Sequence, residues 1–200
     1  MQLDSTAKPK LIDAAKAEFL RCGYQKASLR SISRAAGVTT GAIYFFFEGK
    51  EDLFHAVVDE AANALRHMLT EGAKKEYSGE ASGEDNDRAV IECLHAYPEE
   101  SGILLEKSED SPLSGFRQEI TDLLEVGFLQ FFYRAGGKAA DAALIRLLVE
   151  QRVHIILSLI AKRLDLETTL RYTVLIGAYG DAGFAGMMTQ YHKMQEGSVG

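Results

Sequence analysis

Residues 28–47 read SLRSISRAAGVTTGAIYFFF, two short stretches of helical pattern divided by Gly37. Ser28 is placed to cap a helix of roughly 28–35, since its hydroxyl can accept from the orphan N–H groups of a first turn. Leu29, Ile32 and Ala36 then share one face. Gly37 permits a sharp turn, Val38 plugs the core, and Thr39 caps a second short helix through about Phe45. Upstream, Leu11, Ile12, Ala15, Phe19 and Cys22 recur at helical spacing over 9–22, with Pro9 in the first turn and Gly23 as the stop. Two short helices joined by a tight glycine turn and packed on a third form a helix-turn-helix. Ala35 and Ala36 supply the small residues where its helices cross.

Outward from this stretch the helical period persists. After Gly49, the acids Glu51 and Asp52 suit the first turn of a long helix starting at Lys50. Its apolar positions are Leu53/Phe54, Val57/Val58, Ala61, Leu65 and Met68/Leu69. From Glu76 to Asp87 glycines and acids predominate without a base, which predicts a loop. Further helices are expected up to Pro98, through Leu104 and Leu105, and over 113–134, 139–163 and 166–192. No strand alternation or 20–50-residue repeat is present. The expected fold is all-α, about nine helices: a helix-turn-helix domain over 1–50 and a separate helical body over 76–200, which the resemblance described below makes a DNA-binding domain and a ligand-binding and dimerisation domain.

The chain of 200 residues is 46% hydrophobic and 26% charged, with a net charge of −7. That average hides an asymmetry. Residues 1–50 hold eight bases and four acids, whereas residues 51–200 hold 14 bases and 25 acids. A basic first quarter on an acidic remainder suggests a phosphate-binding module joined to a body that avoids phosphate. Cys22 and Cys93 are too few for a disulfide framework or a four-thiolate zinc site, so a reduced, cytoplasmic setting is expected. No secretory signal or membrane span is read, because Arg152 and His154 interrupt the most apolar run.

The extended string is far more specific than its turn. Phe19, Gly23-Tyr24, Ala27-Ser28-Leu29, Ile32, Ala36-Gly37-Val38-Thr39, Gly41-Ala42-Ile43-Tyr44, Phe47, Gly49-Lys50-Glu51 and Leu53 together resemble the DNA-binding domain of the tetracycline-repressor (TetR) family. The resemblance covers about residues 8–68. It implies a homodimeric transcription factor, usually a repressor, that releases a palindromic double-stranded operator when a small molecule enters the body. By position, Thr39, Thr40, Gly41 and Ala42 open the recognition helix near the DNA. Tyr44 and Ser28 would hold phosphates, and Lys50 would pair with one. The family often carries Tyr or His after Tyr44, where this chain has Phe45-Phe46; on a helix at least one of the two must face out, where it could touch a thymine methyl, and Phe45 is read with the DNA-binding residues. Position 33 is Ser where Ala is usual.

Beyond the resemblance, Gly177, Gly180, Gly183 and Gly186 fall three apart in the last helix. Each costs about 1 kcal/mol relative to Ala, which calls for an offsetting close approach. With Ala182 and Phe184 they are read as the dimer interface; a helix broken near Gly180-Asp181 is the plainer alternative. An aromatic face at Phe116, Phe128 and Phe131, with Tyr97, Tyr172 and His154, is the candidate wall for a lipophilic ligand, although ordinary core packing selects the same rings. Arg146, Glu150, His154 and Ser158 form one polar stripe, read as solvated with a Glu150–His154 pair; a polar pocket wall or a pH-sensitive interface is the alternative. Cys93 is expected to be a buried thiol. No metal or cofactor is expected. The rival functions, a helical enzyme or a structural adaptor, find no nucleophile–base pair, phosphate loop or ligand cluster to support the enzyme.

Overall fold

The computed structural model describes residues 6–136 and 142–197, and among these it forms nine α-helices and no strand. They are α1 (Ala7–Lys26), α2 (Leu29–Ala35), α3 (Thr40–Phe46), α4 (Lys50–Ser78), α5 (Gly83–Ala96), α6 (Pro98–Glu106), α7 (Phe116–Arg134), α8 (Ala142–Ala161) and α9 (Leu166–Gly197). Among the described residues no helix is long and apolar enough to cross a membrane. Residues 1–5 of the expected DNA-binding domain, Gly137 and the expected start of α8 at 139 lie outside the described residues.

The chain divides into two compact units, Met1–His67 with Ala96–Ile120, and Met68–His95 with Thr121–Gly200. The first unit is closed around Leu11, Phe19, Ile32, Ile43, Leu53, Phe54 and Val58, all fully buried. Phe19 meets Phe54 edge to face with ring centroids 5.2 Å apart, and Tyr24 meets the same ring at 5.0 Å. Burial of each such side chain contributes about 1.5–3 kcal/mol. Gly23 adopts φ +77°, a left-handed value that breaks the helical path inside α1. The Tyr24 N–H then donates to the Lys107 carbonyl at 3.0 Å. Residues 96–120, expected from sequence to lie with the body, cluster with the first unit. Lys16 pairs with Glu100 at 3.0 Å and Glu99 at 3.5 Å, and Arg66 forks onto Glu119 at 2.6 and 2.8 Å.

The second unit packs α7, α8 and α9 around Phe132, Ile145, Val149, Val153 and Met188. Asn86 draws α5 onto α4, its amide donating to the Gly72 carbonyl and the Glu76 carboxylate at 3.1 and 2.8 Å. Arg152 pairs with Asp87, and His95 shares a hydrogen bond with Thr169 at 3.1 Å.

Four expectations change here. The acidic stretch 76–87 is mostly helix: α4 runs to Ser78 and α5 starts at Gly83. Its acids suit an N-terminal turn, where Asp85 accepts from the N–H and hydroxyl of Ser82. Near the end of α7 the buried ring is Phe132, 1% exposed, whereas Phe131 is 43% exposed, because the face turned to α8 and α9 is one residue further on. Glu150 accepts from Arg146 at 3.1 Å, an arginine that also holds Asp122 and Glu125, while His154 is exposed. Three carboxylates around one guanidinium outweigh the expected histidine pair. Cys93 is half-buried rather than buried, and desolvation raises the pKa of its thiol.

Candidate nucleic-acid interface

The geometry of α3 follows from how α2 ends. Gly37 lies at φ +69°, and two hydrogen bonds close the helix: the Val38 N–H donates to the Ser33 carbonyl at 2.9 Å and the Gly37 N–H to the Arg34 carbonyl at 3.1 Å. This is a Schellman ending, and it fixes the direction in which α3 departs. Ser33 then joins the two helices. Its buried hydroxyl donates to the Arg30 carbonyl at 3.2 Å and lies 3.1 Å from the Thr40 hydroxyl. Having spent its own proton, Ser33 accepts from Thr40. The unusual serine noticed in the sequence is therefore a strut between α2 and α3.

At the start of α2, Ser28 occupies the cap position and its hydroxyl accepts from the Ser31 N–H at 3.4 Å. Glu18 of α1 is buried beside this end. Burial raises its carboxyl pKa, but Arg21 at 2.7 Å, with Ser31 and the Ser28 backbone, outweighs that and leaves it lowered. An ionised carboxylate at a helix N-terminus is favourably placed. Thr39 caps α3 by position, without a side-chain cap bond.

On α3 itself, Ala42 and Ile43 are buried, while Gly41, Tyr44 and Phe45 are exposed. Ala42, expected to face DNA, instead seats α3 on the core; its position is on the same inward side as Ile43. Tyr44 is 62% and Phe45 69% exposed, whereas Phe47 is buried. The outward face of α3 thus carries Gly41, Tyr44 and Phe45, with Thr40 half-buried at its edge.

Lys50 holds a position that sequence reasoning did not anticipate. Its ammonium donates to the carbonyls of Gln25 and Ala27 at 3.1 Å each and lies 4.4 Å from the centre of the Tyr24 ring. A cation at the carbonyl end of a helix satisfies orphan acceptors and its dipole. Lys50 thereby ties the end of α1 to the start of α4. The bases of the first fifty residues accordingly sort into two sets. Lys16, Arg21 and Lys50 are spent on internal partners. Lys26, Arg30 and Arg34 are exposed around α2, and Lys8 and Lys10 are exposed at the start of α1. Residues 28–47 contain no acid at all.

The residues read as a ligand wall fall in both units. Tyr97 and Phe116 belong to the first unit, Phe128, Phe131, His154 and Tyr172 to the second. Tyr97 donates to Glu60 at 2.9 Å, and buried Phe116 lies under the Arg66 guanidinium at 4.9 Å. Within the second unit, Phe128 and Phe131 approach Phe184 with centroids 6.0 and 4.7 Å apart. Phe131 also borders a small open cleft with Ala73, Tyr77, Gly127 and Arg134. Among the described residues no group of three or more His, Cys, Asp or Glu side chains is placed to hold a metal ion.

The residues read as a dimer face divide as well. Phe184 packs into the second unit's own core, since Phe184, Met188 and Tyr191 recur on the inward face of α9. Gly177, Gly180, Gly183 and Gly186 have no atom within 4 Å of a Cβ built on them, and α9 runs through them unbroken. Leu175, Tyr179, Ala182 and Gly186, at i, i+4, i+7 and i+11, form an exposed stripe.

Comparison with known proteins bears on the first unit. Residues 11–57 match the family described as "Bacterial regulatory proteins, tetR family". The chain is 38% identical over 74 residues to the "HTH-type transcriptional regulator SrpR" of Pseudomonas putida, covering 37% of this chain and 35% of that protein. It is 46% identical over 64 residues to the "Probable acrEF/envCD operon repressor" of Escherichia coli K12, covering 32% and 29%. Such matches span between 20 and 55% of the first curated relatives' length. In fold, the chain is similar to SCO3833, a TetR-family member from Streptomyces coelicolor A3 (TM-score 0.61, 21% identity, 82% of this chain and 88% of that one). It is also similar to NalD, the secondary repressor of the MexAB-OprM multidrug efflux pump in Pseudomonas aeruginosa (TM-score 0.52, 21% identity, 88% and 97%). Over the helices that carry residues 11–57, the chain is similar to the tetR family of bacterial regulatory proteins.

Proposed function

We propose that this chain is a dimeric transcriptional repressor that binds a palindromic operator through α2 and α3 and releases it when a small molecule binds the second unit. The observation that carries the reading is the outward face of α3. Gly41, Tyr44 and Phe45 stand clear of the core on a helix locked in direction by Gly37 and Ser33, in an acid-free segment with Arg30 and Arg34 exposed. A recognition helix needs that combination: side chains for base edges, cations for phosphates, and a rigid seat. Ser28, Thr39 and Thr40 contribute hydroxyls at the ends of the same two helices. The names of relatives that are repressors support the direction of control.

Dimerisation rests on α9. Its exposed stripe of Leu175, Tyr179, Ala182 and Gly186, flanked by Gly183, has the small and apolar composition that lets a second helix pack closely. A symmetric pair would present two copies of α3 about 34–36 Å apart, one turn of DNA, or a multiple of it. The small molecule is expected to be lipophilic, because half-buried Phe128 and Phe184 and exposed Phe131 form an aromatic cluster in the second unit.

Titration of the full chain against duplex DNA at several salt concentrations tests the reading. A repressor binds with a steep log–log salt slope and prefers a palindrome, whereas a helical enzyme or adaptor shows neither. Absence of duplex binding at 50 mM salt would overturn it.

A further inference from the structure

Phe45 is the feature of this surface that phosphate binding leaves unexplained. Its ring is 69% exposed on the outward face of α3 and carries no polar tip. An exposed phenylalanine can neither donate to a phosphate nor pair with a base edge. The ring is nevertheless held: Phe46 meets it edge to face with centroids 4.9 Å apart. Phe46 is itself half-buried and lies 6.5 Å from the buried ring of Phe47. Phe45 is therefore buttressed from the core side and open on the other.

The space in front of it is equally specific. A helical side chain lies over the turn N-terminal to its own Cα, so Phe45 leans toward position 41, four residues earlier. That position is Gly41, where an added Cβ would find only the Thr39 hydroxyl, 3.8 Å away. A missing side chain beside an anchored apolar ring makes a shallow apolar notch on the helix face. In the major groove the apolar group offered by the four standard bases is the thymine 5-methyl, and it points outward from the base edge. The surrounding charge suits DNA, since Arg30 and Arg34 are exposed on the adjoining helix and residues 28–47 hold no acid.

We propose that Phe45, with the notch left by Gly41, is a specificity-determining residue that reads a thymine methyl group in the operator. The proposal rests on the DNA-binding reading above and adds to it the identity of a base. Phe45 contributes by excluding water from the methyl, and a cytosine or an unmethylated uracil at that position forfeits the gain.

The test uses the full chain and the duplex that it enriches most strongly from a randomised pool. Each thymine of that duplex is replaced in turn by deoxyuridine, which deletes the methyl and leaves base pairing intact. For the wild-type protein one thymine per half-site should stand out, with affinity falling about fourfold for each methyl removed. The Phe45→Ala protein should bind the thymine and deoxyuridine duplexes equally, and Phe45→Leu should retain part of the discrimination. Because the ring is exposed, both variants should keep the thermal unfolding midpoint of the wild type. Wild-type indifference to every deoxyuridine, or an undiminished preference in Phe45→Ala, overturns the methyl contact while leaving DNA binding intact. Failure of the pool to enrich any duplex overturns the DNA-binding reading itself.

Discussion

The helices around α3 and the helix α9 solve opposite problems with similar materials. In the first unit every large apolar side chain of α1 to α4 on the inner face finds a partner within the same chain, and Leu11, Phe19, Ile43 and Phe54 are fully buried. In α9 the inward face is also satisfied, by Met188 against Phe132 and its neighbours, but the outward face keeps Leu175 63% and Tyr179 76% exposed. The two regions differ in glycine use as well. Gly23 and Gly37 have left-handed φ values and shape the backbone, whereas the α9 glycines lie inside a regular helix with open space where a side chain would begin. A glycine that bends the chain explains itself. One that costs helix stability without a neighbour is where the proposed dimer would supply one.

That contrast is open to attack at several points. The largest effect is expected from Phe19→Ala, which empties the centre of the first unit's core and should lower its stability by about 3–5 kcal/mol in urea unfolding. A loss below about 1 kcal/mol would mean that this core is not closed in the way described. Next comes Leu175→Glu. The single chain should keep its unfolding midpoint, but dimer association should weaken on the order of 100-fold, about 2.7 kcal/mol, when measured by sedimentation. An unchanged dimer would remove α9 from the interface.

Lys50→Met isolates the anchoring of α1. Loss of two donated bonds and the contact with Tyr24 should cost about 1–3 kcal/mol of stability. The salt slope of duplex binding should stay as it is. A slope shallower by roughly 0.9 would instead show that the ammonium leaves the α1 carbonyls for a phosphate.

The smallest effect concerns pH. The Arg66 guanidinium, bonded at 2.6 and 2.8 Å, holds the Glu119 carboxyl below its usual range. A lowered carboxylate stabilises the fold above its ordinary pKa, and that contribution disappears as pH falls through the folded value. The wild-type urea midpoint should therefore drop more between pH 7 and pH 3 than that of Arg66→Met. Equal drops would show that the pair contributes nothing measurable, as many half-exposed pairs do.

Much of this was legible in the order of residues. Ser28, Gly37 and Thr39 marked the ends of α2 and α3 because caps and left-handed turns demand particular residue types. The run of Leu53, Phe54, Val57, Val58, Ala61 and Leu65 foretold the buried face of α4, and all six are buried, whereas Met68 and Leu69, read as its continuation, are half-buried. An outward phenylalanine at 45 or 46 was required by helical spacing alone, and Phe45 is the more exposed. The loop expected at 76–87 failed because glycine and acid also suit a helix start, and only Asp85 folding back on Ser82 distinguishes the two.

The sequence by itself determined most of the helices, their turns and the likeness of residues 11–57 to the tetR family, since those depend on residues within a few positions of one another. Tertiary structure alone decided what the long side chains do. The reach of a lysine or arginine exceeds the local pattern that places it. Lys50 closes on α1 carbonyls rather than standing open, Arg146 gathers three carboxylates from two helices, and Ser33 braces Thr40. The same holds for which ring of Phe131 and Phe132 is buried, because neighbouring positions on α7 share one composition and only the packing of α8 and α9 chooses between them.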